Sequence, residues 1–388
     1  MKIFDSYFWT GVTLSVLLTG LGMLFERTLF GEHIKTATYE LLQERLTLAD
    51  QGLRVDLPVT VIDISELARD DSGATPRNVL QWLITALGQY RPAAIGLDID
   101  FSPEGGRFVK PEDPEFFEFC EKKTASGVPV YLGIWRSQTL PPKQWLVLEK
   151  YSNLAAALRV PRDARRSEQR IDSGRTMSRA LADGYCLWHP CSEDWPTWIL
   201  EPLSPIDYSL LKRIYDKRVA VSRADFQNEA SLQKVIVENA DAVRGKMVLV
   251  GDVKDASDTF NNPVGEDPIP GALIHASAAY TQAIRPLYEI RGLYRQLGDL
   301  LLAVILLLIV GVLRPWLNPE RLSIVFSLVA ASLAILVGLL VNHTGVFWDD
   351  FLLVAIALAV HPFVAKPFER GLDRFRNWIT ARNVEVSR

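Results

Sequence analysis

Residues 58–64 of this chain read PVTVIDI, and residues 93–101 read AAIGLDIDF. Both runs are short, apolar and rich in branched side chains up to their aspartates, a pattern typical of strands buried on both faces of a sheet. Between them, residues 76–90 carry apolar side chains at helical spacing: Val79, Leu80, Leu83, Ile84 and Leu87. A strand, a helix and a second strand with short connections predict a parallel pair. The sequence therefore predicts an α/β fold with a mixed or mostly parallel sheet.

Further elements of the same kind follow along the chain. Residues 114–119 predict a helix, and residues 128–134 predict another strand. After a less regular segment, residues 245–252 read GKMVLVGD, which indicates a buried strand that opens into a polar loop. Residues 269–276 read IPGALIHA and lead into a helix of small side chains. These elements support the same α/β prediction.

Four apolar stretches flank the α/β segment, at residues 6–25, 300–313, 322–341 and 351–365. The first has no charged residue over a length that suffices for a helix to cross a bilayer. A cleaved signal peptide is its alternative, but the following LFERT offers no small-x-small cleavage site. The last stretch would reach only about 22 Å as a helix, so it must borrow flanking residues. The sequence predicts four transmembrane helices, one N-terminal and three C-terminal.

These boundaries divide the chain into an N-terminal anchor (residues 1–27), an extracytoplasmic domain (28–295), a three-helix membrane cluster (296–365) and a basic amphipathic tail (366–388). Positively charged loops stay on the cytoplasmic side of a membrane. Arginines lie between the second and third spans and throughout the tail, whereas the turn before the fourth span carries only aspartates. We therefore expect a multi-pass protein of the cell (inner) membrane with cytoplasmic termini and a periplasmic or extracellular large domain.

Composition narrows the partners and the redox chemistry. The 42 Lys and Arg against 46 Asp and Glu give a net charge of −4, and for a domain outside the cytoplasm we expect no nucleic-acid partner. Cys186 and Cys191 flank the short loop LWHP and are the candidate disulfide, which leaves Cys120 as a buried thiol. With His189 these two cysteines are alternatively the start of a zinc site, although no fourth ligand is nearby in sequence. We expect no metal centre.

The segment from residue 159 to residue 179 is locally basic, with seven arginines and only three acidic residues. The arginines are Arg159, Arg162, Arg165, Arg166, Arg170, Arg175 and Arg179. A solvated loop or helix face is the common explanation for such a run. An anionic partner, such as the headgroups of membrane lipids, is the alternative.

The tail combines an apolar stripe with positive charge. Its candidate docking residues are Phe368, Leu372, Phe375, Ile379, Arg370 and Arg374. The four apolar members recur every three or four residues, as on one face of a helix. Such a helix can lie along the inner leaflet of a membrane, and it can equally be the docking surface for a partner helix.

Acidic side chains gather at the ends of the predicted strands. Asp63, Asp98 and Asp100 follow two strands that we expect to be neighbours, and ligands of open α/β sheets bind at that edge. The candidate ligand-binding residues are Asp63, Arg77, Asp98, Asp100, Asp252, Asp258 and His275. Such a set can hold a divalent cation or act as general acid and base.

The same aspartates have a plainer explanation. Carboxylates at strand ends often cap helices or hold loops, and Asp98 or Asp100 can simply pair with Arg77 or Lys246. No nucleophile and base form a recognisable pair in the sequence. We therefore expect no catalytic residue, no enzyme activity and no cofactor, with a hydrolase that uses the aspartates as a remote alternative.

Four blocks stand in a fixed order along the chain: residues 59–64 with their aspartate, 95–101 (IGLDIDF), 245–251 (GKMVLVG) and 270–276 (PGALIHA). This ordered set resembles the type-two CHASE family, the extracellular sensory domains associated with cyclases and histidine kinases. That family typically has one membrane span before the domain and three after it, and the resemblance extends from Phe8 to Ala365. It implies an α/β sensor domain held in a membrane.

Two features differ from the family pattern. Members often approach the first helix with an aromatic and proline-rich segment, whereas residues 71–77 here (DSGATPR) keep only its Pro-Arg end. Members also commonly continue into a cytoplasmic kinase or cyclase, and only 23 residues follow Ala365. We therefore expect a sensor or signalling subunit that passes its signal to a separate effector in a homo- or hetero-oligomer. A structural subunit of a membrane complex is the alternative.

Overall fold

The computed structural model describes residues 28–50, 56–69, 74–102, 110–135, 151–161, 164–168, 170–171, 174–191 and 203–289, with scattered positions beyond residue 290 that include 331–338 and 345–347. The chain forms two compact units. One contains Gln43–Thr197 and Glu201–Tyr288, and the other contains Met1–Leu42, Trp198–Leu200 and Glu289–Arg388. The sheet and the candidate site belong to the first unit.

The secondary structure of the described residues alternates strands with helices. The helices are α1 (Leu29–Asp50), α2 (Arg77–Gly88), α3 (Asp113–Ala125), α4 (Met177–Cys186), α5 (Leu211–Asp216), α6 (Glu229–Glu238), α7 (Ala240–Val243) and α8 (Gly271–Ile284). The strands are β1 (Val59–Asp63), β2 (Ala94–Asp98), β3 (Val130–Ile134), β4 (Ala155–Ala157), β5 (Arg166–Glu168), β6 (Arg170–Ile171), β7 (Gly174–Arg175), β8 (Leu203–Pro205), β9 (Val219–Ala220), β10 (Met247–Gly251), β11 (Thr259–Phe260), β12 (Ile269–Pro270), β13 (Tyr288–Glu289) and β14 (Val346–Phe347).

Six strands form one sheet in the order β4-β3-β2-β10-β1-β9, and every pairing in it is parallel. The prediction of an α/β fold with a mostly parallel sheet is therefore confirmed. The expectation that β1 and β2 are neighbours is wrong, because β10 lies between them and pairs with both. Its register brings Asp63, Gly251 and Asp98 level at the carboxyl edge of the sheet.

Helices cover both faces of this sheet, as the uninterrupted apolar strands require. In β2, Ile95 and Leu97 are fully buried in the core that includes α2 and α3. Gly96 points to the other face, where a Cβ would lie only 2.6 Å from the sulfur of Met177 and 3.2 Å from Leu181. Glycine at this position lets α4 approach the sheet, and α8 packs beside α4.

The cysteines and the neighbouring histidine settle one of the alternatives. Cys186 and Cys191 form a disulfide after α4, so the alternative zinc site is wrong because both sulfurs are bonded to each other. His189 instead stacks on Tyr185 with ring centroids 4.2 Å apart. Cys120 is a free thiol on α3 with no exposed surface, and burial raises its pKa.

Among the residues that the structure describes, no helix is both long enough and apolar enough to cross a membrane. The span predicted at residues 6–25 lies outside those residues, the spans predicted at 300–313 and 351–365 lie largely outside them, and about half of the span predicted at 322–341 does so. The four transmembrane helices stay a prediction.

Candidate ligand site at the carboxyl edge of the sheet

A cavity of about 360 Å³ lies beside the carboxyl ends of the central strands. Ile64 follows β1, Asp98 ends β2, and Asp252 follows β10, so three adjacent strands contribute to its wall. Six of the seven predicted binding residues line the cavity: Arg77, Asp98, Asp100, Asp252, Asp258 and His275. The carboxyl edge of an open α/β sheet is the usual place for ligands, and the topology here brings distant parts of the chain to it.

Asp98 is the most deeply placed acidic group of the cavity. Its side chain is 7% exposed, and no hydrogen bond to its carboxyl group comes from the described residues. The nearest ionisable partner is His275, whose Nε2 lies 3.9 Å from Asp98 Oδ1. Burial, with a smaller contribution from the charge of Asp252, raises the pKa of Asp98 to about 7. Asp98 therefore exchanges its proton near neutral pH.

His275 lies on the first turns of α8 and is buried. Its Nε2 is 3.2 Å from the carbonyl oxygen of Leu158, which can only accept a hydrogen bond, so Nε2 carries a proton and donates it. Burial lowers the pKa of His275 to about 4, against the opposing effect of the Asp258 charge. The imidazole is neutral at pH 7 and does not balance the charge of Asp98.

The loop after β10 places aspartates at every third position. Asp252 Oδ1 accepts hydrogen bonds from the backbone nitrogens of Lys254 over 2.8 Å and of Asp255 over 3.1 Å. Asp255 accepts from both the backbone nitrogen and the hydroxyl of Ser257, and Arg69 Nη2 lies 3.2 Å from its other oxygen. These hydrogen bonds, and then the charge of Arg69, hold the pKa of Asp255 below its ordinary value. The loop is therefore held by its own carboxylates.

Asp258 closes this loop against the start of α8. The backbone nitrogen of Gly271 donates to Asp258 O over 3.0 Å, and a Cβ on Gly271 would come within 2.8 Å of Asp258 Oδ1. Only glycine leaves room for the carboxylate at this point. Burial and the negative charge of Asp98 raise the pKa of Asp258 to about 6, and the positive charge of His275 in its protonated form acts in the opposite direction.

The alternative that Arg77 or Lys246 pairs with Asp98 or Asp100 is wrong. Arg77 is 5% exposed, and its Nε donates to Asp113 Oδ1 over 2.6 Å. Lys246 Nζ lies 2.9 Å from Asp56 Oδ1. These partners satisfy both cations, so neither of them balances the charge of Asp98 or Asp100.

Asp100 lines the cavity but also holds a loop. Its Oδ1 accepts from the backbone nitrogens of Ser102 over 2.9 Å and of Trp135 over 3.1 Å. Trp135 follows β3 directly, and 48% of its surface is exposed. Asp100 thus holds the backbone at Trp135, which is another residue of the cavity wall.

Asp63 is not among the residues that line the cavity. It is 3% exposed, its Oδ2 lies 3.1 Å from Arg218 Nε, and its Oδ1 accepts from the backbone nitrogen and the hydroxyl of Ser65. The Ser65 hydroxyl also accepts from the backbone nitrogen of Val253 over 3.1 Å. The Asp63 carboxylate therefore connects the end of β1 to the adjacent loops. This is the plainer explanation for a strand-end aspartate, a side chain that holds a loop.

Sequence reasoning missed several residues of the wall. Arg69, Trp135, Leu158 and Asp255 line the cavity although the sequence did not mark them as candidates. The three-residue spacing of Asp252, Asp255 and Asp258 was a usable signal for Asp255, and a position just after a strand was one for Trp135. Nothing in the sequence near Arg69 or Leu158 points to the cavity, since they reach it only through folding.

The arrangement suits charge recognition and proton exchange. Within the described ranges, no three His, Cys, Asp or Glu side chains are placed to hold a metal ion together. The buried carboxyl groups can instead accept hydrogen bonds from a positively charged ligand and release protons in response. No hydroxyl or thiol among the lining residues is paired with the imidazole of His275, which already donates to Leu158.

The remaining candidate residues lie elsewhere. Arg175 and Arg179 both lie within 4 Å of Asp183, at 3.8 Å and 2.7 Å, so part of the basic segment is internally paired. Arg162 lies outside the described residues. In the tail, Arg370 and Arg374 are exposed, whereas Phe368, Leu372, Phe375 and Ile379 lie outside the described residues.

Comparison with known proteins gives a family match that covers both the sheet and the cavity. The family model of the CHASE2 domain matches residues 12–313, which is more than half of the 388 residues. That range contains every strand of the six-stranded sheet and every residue that lines the cavity. Comparison with curated proteins and with solved structures gave no match.

Proposed function

Because the chain belongs to the CHASE2 family of extracellular sensory domains, we propose that it is a membrane-bound sensor whose α/β domain binds its signal outside the cytoplasm. The proposal places the signal in the cavity at the carboxyl edge of the sheet. The four predicted transmembrane helices hold the domain in the cell membrane, and the signal passes to a separate effector protein.

One observation favours a sensor over a structural subunit or a hydrolase. The Asp98 carboxyl group is more than nine-tenths buried, lines a cavity, and receives no hydrogen bond from the described residues. Burial disfavours the charged form of this carboxyl group, so its charge costs free energy here unless a partner stabilises it. A ligand that supplies a hydrogen-bond donor or a positive charge at Asp98 would offset this cost.

The position of α8 supports a route for the signal. The helix begins at Gly271, which contacts Asp258, and His275 on its next turn lies beside Asp98. Its 14 residues extend about 21 Å from the cavity to Ile284. The predicted membrane cluster begins at residue 296, about twelve residues after Ile284. A ligand that changes the charge or packing at Gly271 therefore acts on the element that leads to the predicted spans.

The proposal includes partners that follow from the sequence. The basic tail and its apolar stripe are proposed to contact membrane lipids or the effector, and the chain is proposed to act as a homo- or hetero-oligomer. A structural subunit needs no cavity with an unpartnered carboxyl group. A hydrolase needs an activated nucleophile, which the described lining residues do not present.

The test uses the purified full-length chain and a panel of extracellular ions and small molecules. Thermal unfolding is recorded for the wild type, for Asp98→Ala, and for Asp267→Ala, which removes an exposed carboxylate outside the cavity. We expect at least one compound to raise the melting temperature of the wild type and of Asp267→Ala but not of Asp98→Ala. A stable complex with other membrane proteins, combined with no Asp98-dependent shift by any compound, would support the structural subunit instead.

A further inference from the structure

We propose that the cavity binds a small organic cation, a compound with an ammonium or guanidinium group on a short apolar body. This inference rests on the proposed function, because it names the chemical class of the signal that the cavity receives. It adds a charge, a size and a hydrogen-bonding pattern to that signal. The charge and the hydrogen-bonding pattern follow from the carboxyl groups of the wall, and the size follows from the cavity volume and the apolar side chains.

The charge follows from the carboxyl groups. Asp98, Asp252 and Asp258 all line the cavity, and none of them forms an ion pair with a lysine or arginine of the described chain. They are close enough to influence one another, since the charge of Asp98 acts on Asp258 and the charge of Asp252 acts on both. Like charges gathered in a partly buried site favour a ligand of opposite charge.

The protein's own cations do not fill this role. Arg77 is bound to Asp113 over 2.6 Å and stacks over Phe101 at 4.5 Å. Arg69 is bound to Asp255 over 3.2 Å. His275 donates its Nε2 proton to a backbone carbonyl and is neutral at pH 7. Among the residues that the structure describes, no lysine, arginine or charged histidine is therefore left to pair with Asp98, Asp252 or Asp258, and a bound cation can take that place.

The hydrogen-bonding pattern follows from Asp98. Both of its oxygens lack a donor among the described residues, and its side chain is 7% exposed. Asp252 keeps one oxygen for the ligand, because its Oδ1 already accepts two backbone hydrogen bonds. A group with several N–H donors satisfies both carboxylates at once, as an ammonium or a guanidinium does.

The size and the apolar body follow from the rest of the wall. Ile64, Leu67, Ile99 and Leu158 line the cavity, and so does Trp135, which is partly exposed. Sites for small molecules range from about 300 to 1,000 Å³, so a cavity of about 360 Å³ suits a small compound. An indole attracts a cation over its face.

These walls also distinguish an organic cation from a divalent metal ion. Direct coordination of calcium or magnesium needs several oxygen ligands at short distance from one point. Among the described residues no three acidic or histidine side chains are so arranged. Apolar side chains and an indole contribute nothing to a metal ion, whereas they cover the carbon skeleton of an amine.

The binding of such a cation is coupled to pH. The empty cavity holds a proton on Asp98 up to pH 7 and on Asp258 up to pH 6, and a bound cation favours loss of both protons. An alkylammonium ligand keeps its own charge across this range. Affinity is therefore highest above pH 7 and falls as the pH drops, on the order of 100-fold between pH 8 and pH 5 from Asp98 alone.

The experiment compares amines with matched neutral compounds on the full-length chain. Tyramine, cadaverine and agmatine are the cationic probes, tyrosol and pentanediol are the neutral analogues of the first two, and calcium and magnesium chloride test a metal ion. Tris is avoided because it is itself an ammonium compound. At pH 5 acetate buffer is used throughout, and at pH 8 phosphate is used for the amines and barbital for the metal salts. Thermal shifts and titration calorimetry are recorded at pH 8 and pH 5 for the wild type, Asp98→Asn and the exposed control Asp267→Asn.

We expect at least one amine to raise the melting temperature of the wild type and of Asp267→Asn at pH 8, while its neutral analogue does not. Asp98→Asn is expected to lose this shift, and the wild type is expected to lose most of it at pH 5. Equal effects of an amine and its analogue, an amine shift that survives in Asp98→Asn, or no shift with any amine would each overturn the inference. An Asp98-dependent shift with calcium, magnesium or an uncharged compound instead would overturn it while leaving the proposed function intact.

Discussion

Replacement of Asp98 by asparagine tests the cavity in the absence of any ligand. The substitution removes a buried charge and keeps the size of the side chain. In the wild type, burial and the charge of Asp252 raise the pKa of Asp98 from 3.8 to about 7. Because the folded state binds this proton more tightly than the unfolded state, the stabilisation is fully present below pH 3.8 and is lost as the pH rises through 7.

The size of the effect follows from those two pKa values. The difference between 3.8 and about 7 corresponds to about 4 kcal/mol of unfolding free energy over the whole titration. Between pH 5 and pH 8 the wild type is expected to lose roughly 2–3 kcal/mol from this group. Asp98→Asn has no titrating carboxyl group at this position. Its unfolding free energy is therefore expected to rise by roughly 2–3 kcal/mol relative to that of the wild type between pH 5 and pH 8.

Cys120 provides the assay. It is the free cysteine of the chain, and it has no exposed surface in the folded domain. The thiol is labelled with a disulfide reagent that reacts at both pH values, and labelling requires the domain to open. The labelling rate of the folded protein divided by the labelling rate of the unfolded chain at the same pH gives the opening constant. From pH 5 to pH 8 we expect the opening constant of the wild type to rise on the order of 100-fold relative to that of Asp98→Asn.

The control is Asp267→Asn, which removes an exposed carboxylate and is expected to follow the wild type at both pH values. The reasoning about Asp98 is refuted if its asparagine variant and the wild type show parallel labelling rates across this range. Such a result would mean that the carboxyl group is ionised in the folded domain well below pH 7, as it would be with a partner. It would also remove the main support for an unbalanced cluster.

Three further substitutions test other contacts. Arg218→Ala leaves Asp63 buried without its cation and is expected to lower the unfolding free energy by about 3 kcal/mol, measured by the same labelling assay; an unchanged rate would contradict the ion pair. Gly271→Ala places a Cβ against the carboxylate of Asp258, so we expect loss of any Asp98-dependent ligand shift together with a lower melting temperature, and retention of both would show that the loop yields freely. Arg77→Lys keeps the charge but loses the Nε donor and the planar stacking, and we expect a loss of about 1–2 kcal/mol in thermal unfolding, whereas full stability would mean that charge alone matters there.

The local elements of this fold were predictable because each depends on neighbouring residues. The helix at Arg77–Gly88 follows from apolar side chains three and four residues apart, and the strands at Val59–Asp63, Ala94–Asp98 and Met247–Gly251 follow from short apolar runs that end at polar residues. Four ordered blocks were enough to indicate the family, which the match over residues 12–313 confirms.

The order of strands was not predictable in the same way. Adjacent runs in sequence were expected to be adjacent in space, which is the common case. The strand Met247–Gly251 nevertheless inserts between β1 and β2, because its apolar side chains on both faces fit the centre of a sheet covered on both sides. A pattern of residues reports whether a strand is buried, but it does not report which strands lie beside it.

The sequence by itself determined the α/β class, the family and a list of acidic candidates at strand ends, because these depend on local periodicity and residue type. Only the tertiary structure separated the candidates by role. Asp63 meets Arg218 from 155 positions away and holds loops, whereas Asp98 meets no lysine or arginine of the described part of the chain and faces a cavity. The physical reason is that the charge balance and the pKa of a carboxyl group depend on burial and on partners brought close by the fold, and the spacing of residues along the chain carries neither.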